Sequence, residues 1–488
     1  MSRTDLIAML PMLVVGLAAI ANLLLISVRR HHRAVYSLTL FGLAFALFTI
    51  PQVAAVAPHH VQSLLVADGY ALFYTALVLA SSVVICLLSY NYLEQRCEQR
   101  EEFYVLLLLA TLGGLVLVGA EHFVTLFLGL EILSVAVYVM VAYARSSPLA
   151  AETGIKYLVL AGASSAFLVF GMALVFAQTG SLEFVPVADR LTHMEGLGFA
   201  LPGLALMLVG IGFKLAVVPF HMWTPEVYQG APAPVTAFVA TVSKGGIFAI
   251  LLRLFATLGS EEAQPILVVF GLIAIASMLA GNLLALLEQN VKRLLAFSSI
   301  AHLGYVLVAF LAGSSFGDEA VTFYLVAYFV STLAAFGVVT VLSDSDREAE
   351  LVEDFRGLFW RRPMLASLMT GALLSLAGIP LTAGFVGKFA VIAAGVEGAL
   401  WVPVCALALG SAIGLYYYLR LVVVMLSSNL VKDKEVPGSV LSPSWPMAPK
   451  VGSGAALALG LLAVLLLGLG VYPSPLIDFI ESGVSALR

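Results

Sequence analysis

Five ionisable side chains stand inside otherwise apolar stretches of this 488-residue chain: Glu131, Lys214, Lys244, His302 and Lys388. A charged side chain at the centre of a bilayer costs roughly 2.5–3.5 kcal/mol on insertion scales, so such residues face a bundle interior or a water-filled path. The chemistry open to them is proton exchange. Burial disfavours the ammonium form of a lysine and the carboxylate form of a glutamate, and an opposite charge close by reverses both effects. A Lys214–Glu131 pair is therefore expected to hold its proton when close and release it when separated. With water between them, such groups could pass a proton laterally from Lys214 through Lys244 and His302 to Lys388.

Each residue also has a plainer reading. A single intramembrane lysine can form a structural ion pair or extend its stem to the interface. Lys156 lies near the inner end of its apolar run and reads as a snorkelling lysine, with an accessory place on the path as the alternative. His302 alone would serve equally as a hydrogen-bonded packing residue. His221 could admit protons from the inner side or cap a helix. The run Tyr416, Tyr417, Tyr418 reads as interfacial or packing. Central depth favours the joint reading. From the helical rise, Glu131 is about 15 Å into its run, Lys214 about 12 Å and Lys244 about 20 Å from a shared inner turn, and Lys388 about 10 Å from the outer end.

The elements that must hold them are membrane helices. The chain is 61% hydrophobic and 11% charged, against about 25% charged in ordinary soluble domains, and its mean hydropathy is +1.05. Apolar runs long enough to cross a bilayer as helix recur along nearly the whole length, and the alternation expected of barrel strands is missing. Spans are expected over 6–28, 34–57, 68–92, 103–119, 121–144, 152–178, 198–222, 231–257, 264–287, 294–313, 319–342, 363–395, 399–427 and 451–472. The expected class is an all-α polytopic membrane protein of about fourteen helices. The first run lacks a small-residue cleavage site and precedes Arg29, Arg30 and Arg33, so it reads as a retained helix. Cys86, Cys97 and Cys405 form no CxxC pair, and no metal site, cofactor site or phosphate loop of the GxxxxGK[ST] type is legible. The scattered basic residues give no reason to expect nucleic acid.

Helix breaks are expected near the lysines, at Gly210, Gly212 and Pro219 in one span and at Pro380, Gly384 and Gly387 in another. Backbone freed at such depth must be lined by protein or water. The spacing suggests two inverted five-helix repeats, each with a broken helix. The first, 103–257, holds Glu131, Lys214 and Lys244; the second, 264–427, holds His302 and Lys388. Residues 1–119 add N-terminal helices and the start of the first repeat. Residues 428–488 supply an inner loop, a last helix and an amphipathic end. With both termini outside, 16 of the 24 Lys and Arg residues fall on the inner side and four, including Arg253, on the outer, as the positive-inside rule requires. Leu351, Phe355, Leu358 and Phe359, and likewise Leu476, Ile480, Val484 and Leu487, share helical faces that suit surface-lying helices.

Several motifs resemble the antiporter-like membrane subunits of complex I, the proton-translocating NADH:quinone oxidoreductase. They are HMWTPEVYQGAPAPVTAF (His221 to Phe238) with GFK before it and SK after it, LFLGLEILS (Leu126 to Ser134), KRLLAFSSIAHLGY (Lys292 to Tyr305) and SLAGIPLTAGFVGKF (Ser375 to Phe389). Within that family, the VYQGAPAPV wording, a lysine at Lys388 where some members have glutamate, and an end after the fourteenth span without a long lateral helix mark one kind of subunit. The resemblance implies roles: Glu131 as acidic partner, Lys214 and Lys244 as central proton carriers, His302 as relay and Lys388 as exit-side carrier. It implies a bacterial inner membrane location. It implies membrane-arm and peripheral-arm partner subunits that hold NADH, FMN, iron–sulfur clusters and quinone, with no redox centre in this chain. The alternatives are a subunit of a multisubunit monovalent cation/proton antiporter, which shares the lysines, and a membrane-arm scaffold whose lysines are structural.

Overall fold

The computed structural model describes residues 2–144, 147–192, 198–257, 264–345, 347–427 and 451–484. The first helices are α1 (Arg3–Ala8), α2 (Leu10–Val28), α3 (His32–Phe48) and α4 (Ile50–Ala54), followed by a small hairpin of β1 (His59–Val61) and β2 (Leu65–Ala67). Next come α5 (Gly69–Arg96), α6 (Glu101–Val118), α7 (Phe123–Val141), α8 (Pro148–Thr179), α9 (Phe184–Thr192), α10 (Ala200–Leu215), α11 (Trp223–Gly230), α12 (Ala233–Phe238) and α13 (Lys244–Thr257). The remainder is α14 (Gln264–Ala285), α15 (Val291–Leu311), α16 (Ser315–Leu342), α17 (Leu358–Arg361), α18 (Pro363–Ala377), α19 (Ala383–Glu397), α20 (Trp401–Leu426), α21 (Ser453–Val471) and α22 (Ser474–Val484). Among the described residues, 12 helices are long and apolar enough to cross a membrane, and α10 and α18 are shorter apolar helices.

Side-chain caps set the starts of the long helices. Asp68 accepts from Ala71 N at 2.7 Å to open α5, Asn290 from Lys292 N at 2.9 Å to open α15, and Ser314 from Gly317 N at 3.0 Å to open α16. These oxygens satisfy backbone donors that hydrocarbon could not. In the most apolar stretch of each span, α12 through α13 is wholly buried, α15 to 94% and α16 to 89%, whereas α2 and α21 are buried to only 28%. The helices bearing Lys244 and His302 thus form the axis, and apolar helices wrap them.

Two crossings are interrupted where the sequence led us to expect it, at the expected prolines Pro219 and Pro380 but not at the expected glycines. α10 runs unbroken through Gly210 and Gly212, and the chain leaves the helix after Leu215, with Ala216 in the left-handed region at φ 61°. The segment through Pro219 to Met222 is non-helical, and α11 then resumes. A continuous helix over 198–222 is therefore replaced by two pieces, with Lys214 before the break. In the second case Pro380 lies in the break between α18 and α19, while Gly384 and Gly387 lie inside α19. These glycines serve close packing rather than unwinding: a Cβ on Gly384 would stand 1.8 Å from the Ser375 carbonyl oxygen. A further irregularity, a π-helical turn over Val239–Ser243, ends at Lys244; such turns are frequent at functional sites.

Other expectations change in detail. The amphipathic stretch around Leu351 to Phe359 is a 3₁₀ turn (Val352–Phe355) and the single turn α17, split at Gly357 with φ 66°. Phe355 and Leu358 are fully buried in the protein, so no lipid-facing stripe results. α22 does form, with Ile480 and Val484 packed inward beside α5 and α16; Leu487 lies outside the described residues, as does the expected inner loop over 428–450. Lys292, expected in an inner loop, and Arg253, counted on the outer side, are both buried within helices.

Candidate functional site

Lys214 occupies the last turn of α10, where the helix C-terminus favours a cation. Its ammonium donates to Ser134 Oγ at 2.6 Å and lies 5.7 Å from the centre of the Tyr138 ring. Ser134 and Tyr138 share a face of α7 with Glu131. The half-buried Glu131 accepts from Ser165 Oγ on α8 at 2.6 Å. The expected ion pair between Glu131 and Lys214 is therefore not formed. Ser134, one turn along, takes the ammonium instead. The break that follows is satisfied by protein: Trp223 Nε1 donates to Phe213 O at 3.0 Å and Val218 N to Ser277 Oγ at 2.9 Å. Tyr138 meets Tyr157, and Tyr157 meets Trp223, with ring centres 5.3 and 4.8 Å apart.

Lys244 is completely buried at the start of α13. It donates to Ser299 Oγ on α15 at 2.6 Å and sits 5.5 Å from the Tyr228 ring centre. Tyr328 on α16 donates to the same Ser299 Oγ at 2.7 Å. One turn above Ser299, His302 has both ring nitrogens engaged: Nδ1 with Tyr324 OH at 2.7 Å and Nε2 with Tyr418 OH at 3.1 Å. Each hydroxyl can donate or accept, so the ring can gain a proton on one nitrogen and lose it from the other. Tyr418 also bonds Ser298.

Lys388 on α19 donates to Ala377 O, at the C-terminus of α18, at 2.8 Å, and lies 5.1 Å from the Tyr305 ring centre. Tyr305 OH accepts from Asn282 Nδ2 at 2.8 Å, and Asn282 Oδ1 accepts from Tyr417 OH at 3.1 Å. Gly378, at φ 83°, closes α18 and leaves room for the lysine, since a Cβ there would stand 2.7 Å from Lys388 Cδ.

Lys244, His302 and Lys388 therefore share one contact network, through Ser299, Tyr328 and Tyr305; His302 lies 5.5 and 5.4 Å from the two tyrosine rings. Lys214 and Glu131 form a second centre on the other side of Tyr138 and Tyr157, with no direct bond to Lys244. His221 is buried in the first break, and its Nδ1 has no hydrogen-bond partner. Lys156 is half-exposed and paired with Glu152 at 2.9 Å and Glu226 at 3.2 Å. Tyr417 and Tyr418 are fully buried members of the network, and Tyr416 alone is exposed. The sequence reading also missed Ser134, Ser299, Tyr324 and Tyr328. The two serines had a positional signal, since a hydroxyl three residues from Glu131 or His302 shares its helical face; Tyr324 and Tyr328, on α16, had none.

A family model described as NADH:quinone oxidoreductase/Mrp antiporter, TM, matches residues 120–414, a range that includes all five ionisable residues. The chain belongs to this family. Two relatives in it are named NADH-quinone oxidoreductase subunit N. One, from Methylococcus capsulatus, is 47% identical over 482 residues, 98% of this chain and 95% of the relative. The other, from Ectopseudomonas mendocina, is 47% identical over 484 residues, 98% of this chain and 96% of the relative. A chain of respiratory complex I from Thermus thermophilus superposes with TM-score 0.80 and 32% identity, covering 97% of this chain and all of that one. A chain of an archaeal membrane-bound sulfane sulfur reductase gives 0.81 and 25%, covering 98% and 97%. A chain of the Mrp complex from Dietzia sp. gives 0.84 at 20% identity, covering 100% and 98%, a likeness of fold alone.

Proposed function

We propose that this chain is a proton-translocating membrane subunit of a bacterial NADH:quinone oxidoreductase, of the subunit N kind. One observation carries the reading. The protein pairs two of its buried cations with carboxylates: Arg253 with Asp68, and Lys292 with Glu348. Lys214, Lys244 and Lys388 are also buried, yet among the described residues none forms a salt bridge: they donate to a serine hydroxyl, another serine hydroxyl and a backbone carbonyl, and each lies over a tyrosine ring. A buried ion is a stability device only when a counter-charge compensates it. Three ammonium groups held by neutral partners suit gain and loss of a proton, which also disfavours the scaffold reading.

In this reading, quinone reduction in partner subunits alters the Glu131–Lys214 centre, and protons move through Lys244 and His302 to Lys388. NADH, FMN, iron–sulfur clusters and quinone belong to those partners. Counting each interrupted helix as one crossing gives fourteen, which puts both termini on the same side of the inner membrane, and the Lys and Arg bias makes that side periplasmic. The helices from α6 to α13 and from α14 to α20 then enter from opposite sides as inverted repeats.

The test is quinone-linked proton pumping by the assembled complex in sealed vesicles. General acid–base groups contribute about 10²–10⁴-fold, so Lys214→Ala and Glu131→Ala should each lower pumping at least about tenfold. Full pumping in both variants would refute the role, and sodium-driven proton exchange without a redox partner would replace it with the antiporter reading.

A further inference from the structure

The turn that joins α11 to α12 links the two lysine-bearing crossings of the first half; Thr236 of α12 donates to Tyr228 O at 3.2 Å within it, and its charged caps come from elsewhere. Lys292, at the start of α15 and wholly buried, donates to Gln229 O at 2.9 Å and to Ala231 O at 2.7 Å, the closing carbonyls of α11. Its third donor goes to Glu348, in the loop after α16. Glu348 in turn accepts from the backbone N–H of Ala233, the first residue of α12, at 3.0 Å, and from Tyr92 OH on α5. The cation therefore sits on a helix C-terminus and the anion on a helix N-terminus, each with the sign that its backbone end favours. The mount is stitched down as well: Val291 N donates to Glu350 O at 2.6 Å and Val352 N to Gln289 O at 2.9 Å.

We propose that Lys292 and Glu348 form an oriented clasp that fixes the α11–α12 turn and thereby positions Lys244. Tyr228, beneath the Lys244 ammonium, immediately precedes Gln229. Ser299, which accepts from Lys244, lies two turns above Lys292 on α15. Ala233 opens the helical run that leads to Lys244. The clasp thus holds the inner ends of the elements that make Lys244's contacts. Lys292 and Glu348 are positioning residues, and this role rests on the proton-translocating reading above.

The test uses the intact complex, with amide hydrogen exchange over residues 229–244 read beside protons pumped per electron. Glu348→Gln should speed exchange in that segment about tenfold and lower the proton yield per electron. The exchanged pair, Lys292→Glu with Glu348→Lys, keeps opposite charges but turns both against the helix ends, and should rescue neither readout. Wild-type exchange in Glu348→Gln, faster exchange with an unchanged proton yield, or full rescue by the exchanged pair would each overturn the proposal. If Glu348→Gln does not assemble, Tyr92→Phe removes one bond to the carboxylate and keeps both charges. It should shift both readouts two- to threefold in the same direction, and no shift in either would overturn the clasp. The exchange measurement judges the clasp whether or not the chain pumps, so its failure is separable from that of the proposed function.

Discussion

At the scale of single residues, buried charges in this protein divide by the partner they keep, and the two kinds should respond oppositely to removal. Arg253 and Asp68 are both 7% exposed and joined by two hydrogen bonds, at 2.8 and 3.0 Å. Arg253→Met would leave the carboxylate buried without its counter-charge, so it should destabilise the protein by about 3–5 kcal/mol. The double change Asp68→Leu with Arg253→Met should recover that loss apart from about 1 kcal/mol for the lost α5 cap, as read by thermal unfolding in detergent. Lys244→Met strands no counter-charge; it should leave the melting temperature level or raise it while pumping falls at least about tenfold. Glu348 adds a pH test. Burial pushes its carboxyl up, but the Lys292 charge and the bonds from Lys292, Tyr92 and Ala233 outweigh burial and hold it below the ordinary range. A carboxyl depressed on folding stabilises at pH above its unfolded value, about 4.3, and loses that contribution as pH falls through the folded value. Protection of residues 229–244, corrected for intrinsic exchange, should therefore stay flat from about pH 8 to about pH 5. A loss of protection above pH 5 would show the clasp charge to be weaker than the geometry implies. The five ionisable residues were legible in the sequence because a charge in an apolar run has few explanations. Their hydroxyl partners were not, because serine and tyrosine are ordinary in helices and only the fold shows which of them face a lysine.

At the scale of elements, the two broken helices were legible as too long or too proline-rich for one crossing, and Pro219 and Pro380 marked the breaks, but the glycines expected to share them did not. Glycine spacing marked Gly210, Gly384 and Gly387, which the fold uses for close contacts between helices, and Gly212, which lies against Phe220 of the break. The breaks fall instead where side chains are ready to satisfy freed backbone: Trp223 and Ser277 in the first, Lys388 and Ser375 in the second, where Ser375 Oγ accepts from Gly384 N at 2.9 Å. That supply depends on long-range packing, which local composition does not encode. The left-handed Ala216 makes the same point, because a non-glycine there costs about 1–2 kcal/mol and gives no sequence signal. Gly384→Ala tests the second junction. The new methyl would press on a backbone oxygen 1.8 Å away, so α19 must shift. It should cost at least about 1–3 kcal/mol and move Lys388 off the α18 terminus, lowering the yield of assembled complex and its proton yield together. Gly246→Ala, whose nearest neighbour would be a Leu117 methyl at 3.6 Å, should be tolerated. Equal effects from the two changes would show that the contact at Gly384 does not govern the junction.

At the scale of the whole molecule, the ends of the helices sort into two sets, and the sorting tests the proposed orientation. At one end Arg96 reaches Asp344 O, Arg420 reaches Leu286 O, and Gly357 N reaches Val424 O. At the other, Leu65 bridges Ala120, His122 bridges Glu183, and Arg253 meets Asp68. The fold weakens two contributions to the charge count, since Lys292 and Arg253 are buried with carboxylates and no longer act as loop charges. The bias survives without them. The described basic residues left at the first end are Arg29, Arg30, Arg33, Arg96, Arg100, Arg293, Arg347, Arg356, Arg361, Arg362 and Arg420, against Arg3 and Arg190 at the second. Topology follows such short-loop charges, so the first end should face the cytoplasm. In a Cys97→Ser, Cys405→Ser background, Ser2→Cys should react with a membrane-impermeant thiol reagent in right-side-out vesicles, and Glu98→Cys only in inverted ones. The reverse pattern would put the Lys292–Glu348 clasp on the periplasmic side. The break after Lys214 would then open toward the exit rather than the source of protons, and the direction of transfer from Lys214 to Lys388 would have to be reversed with it.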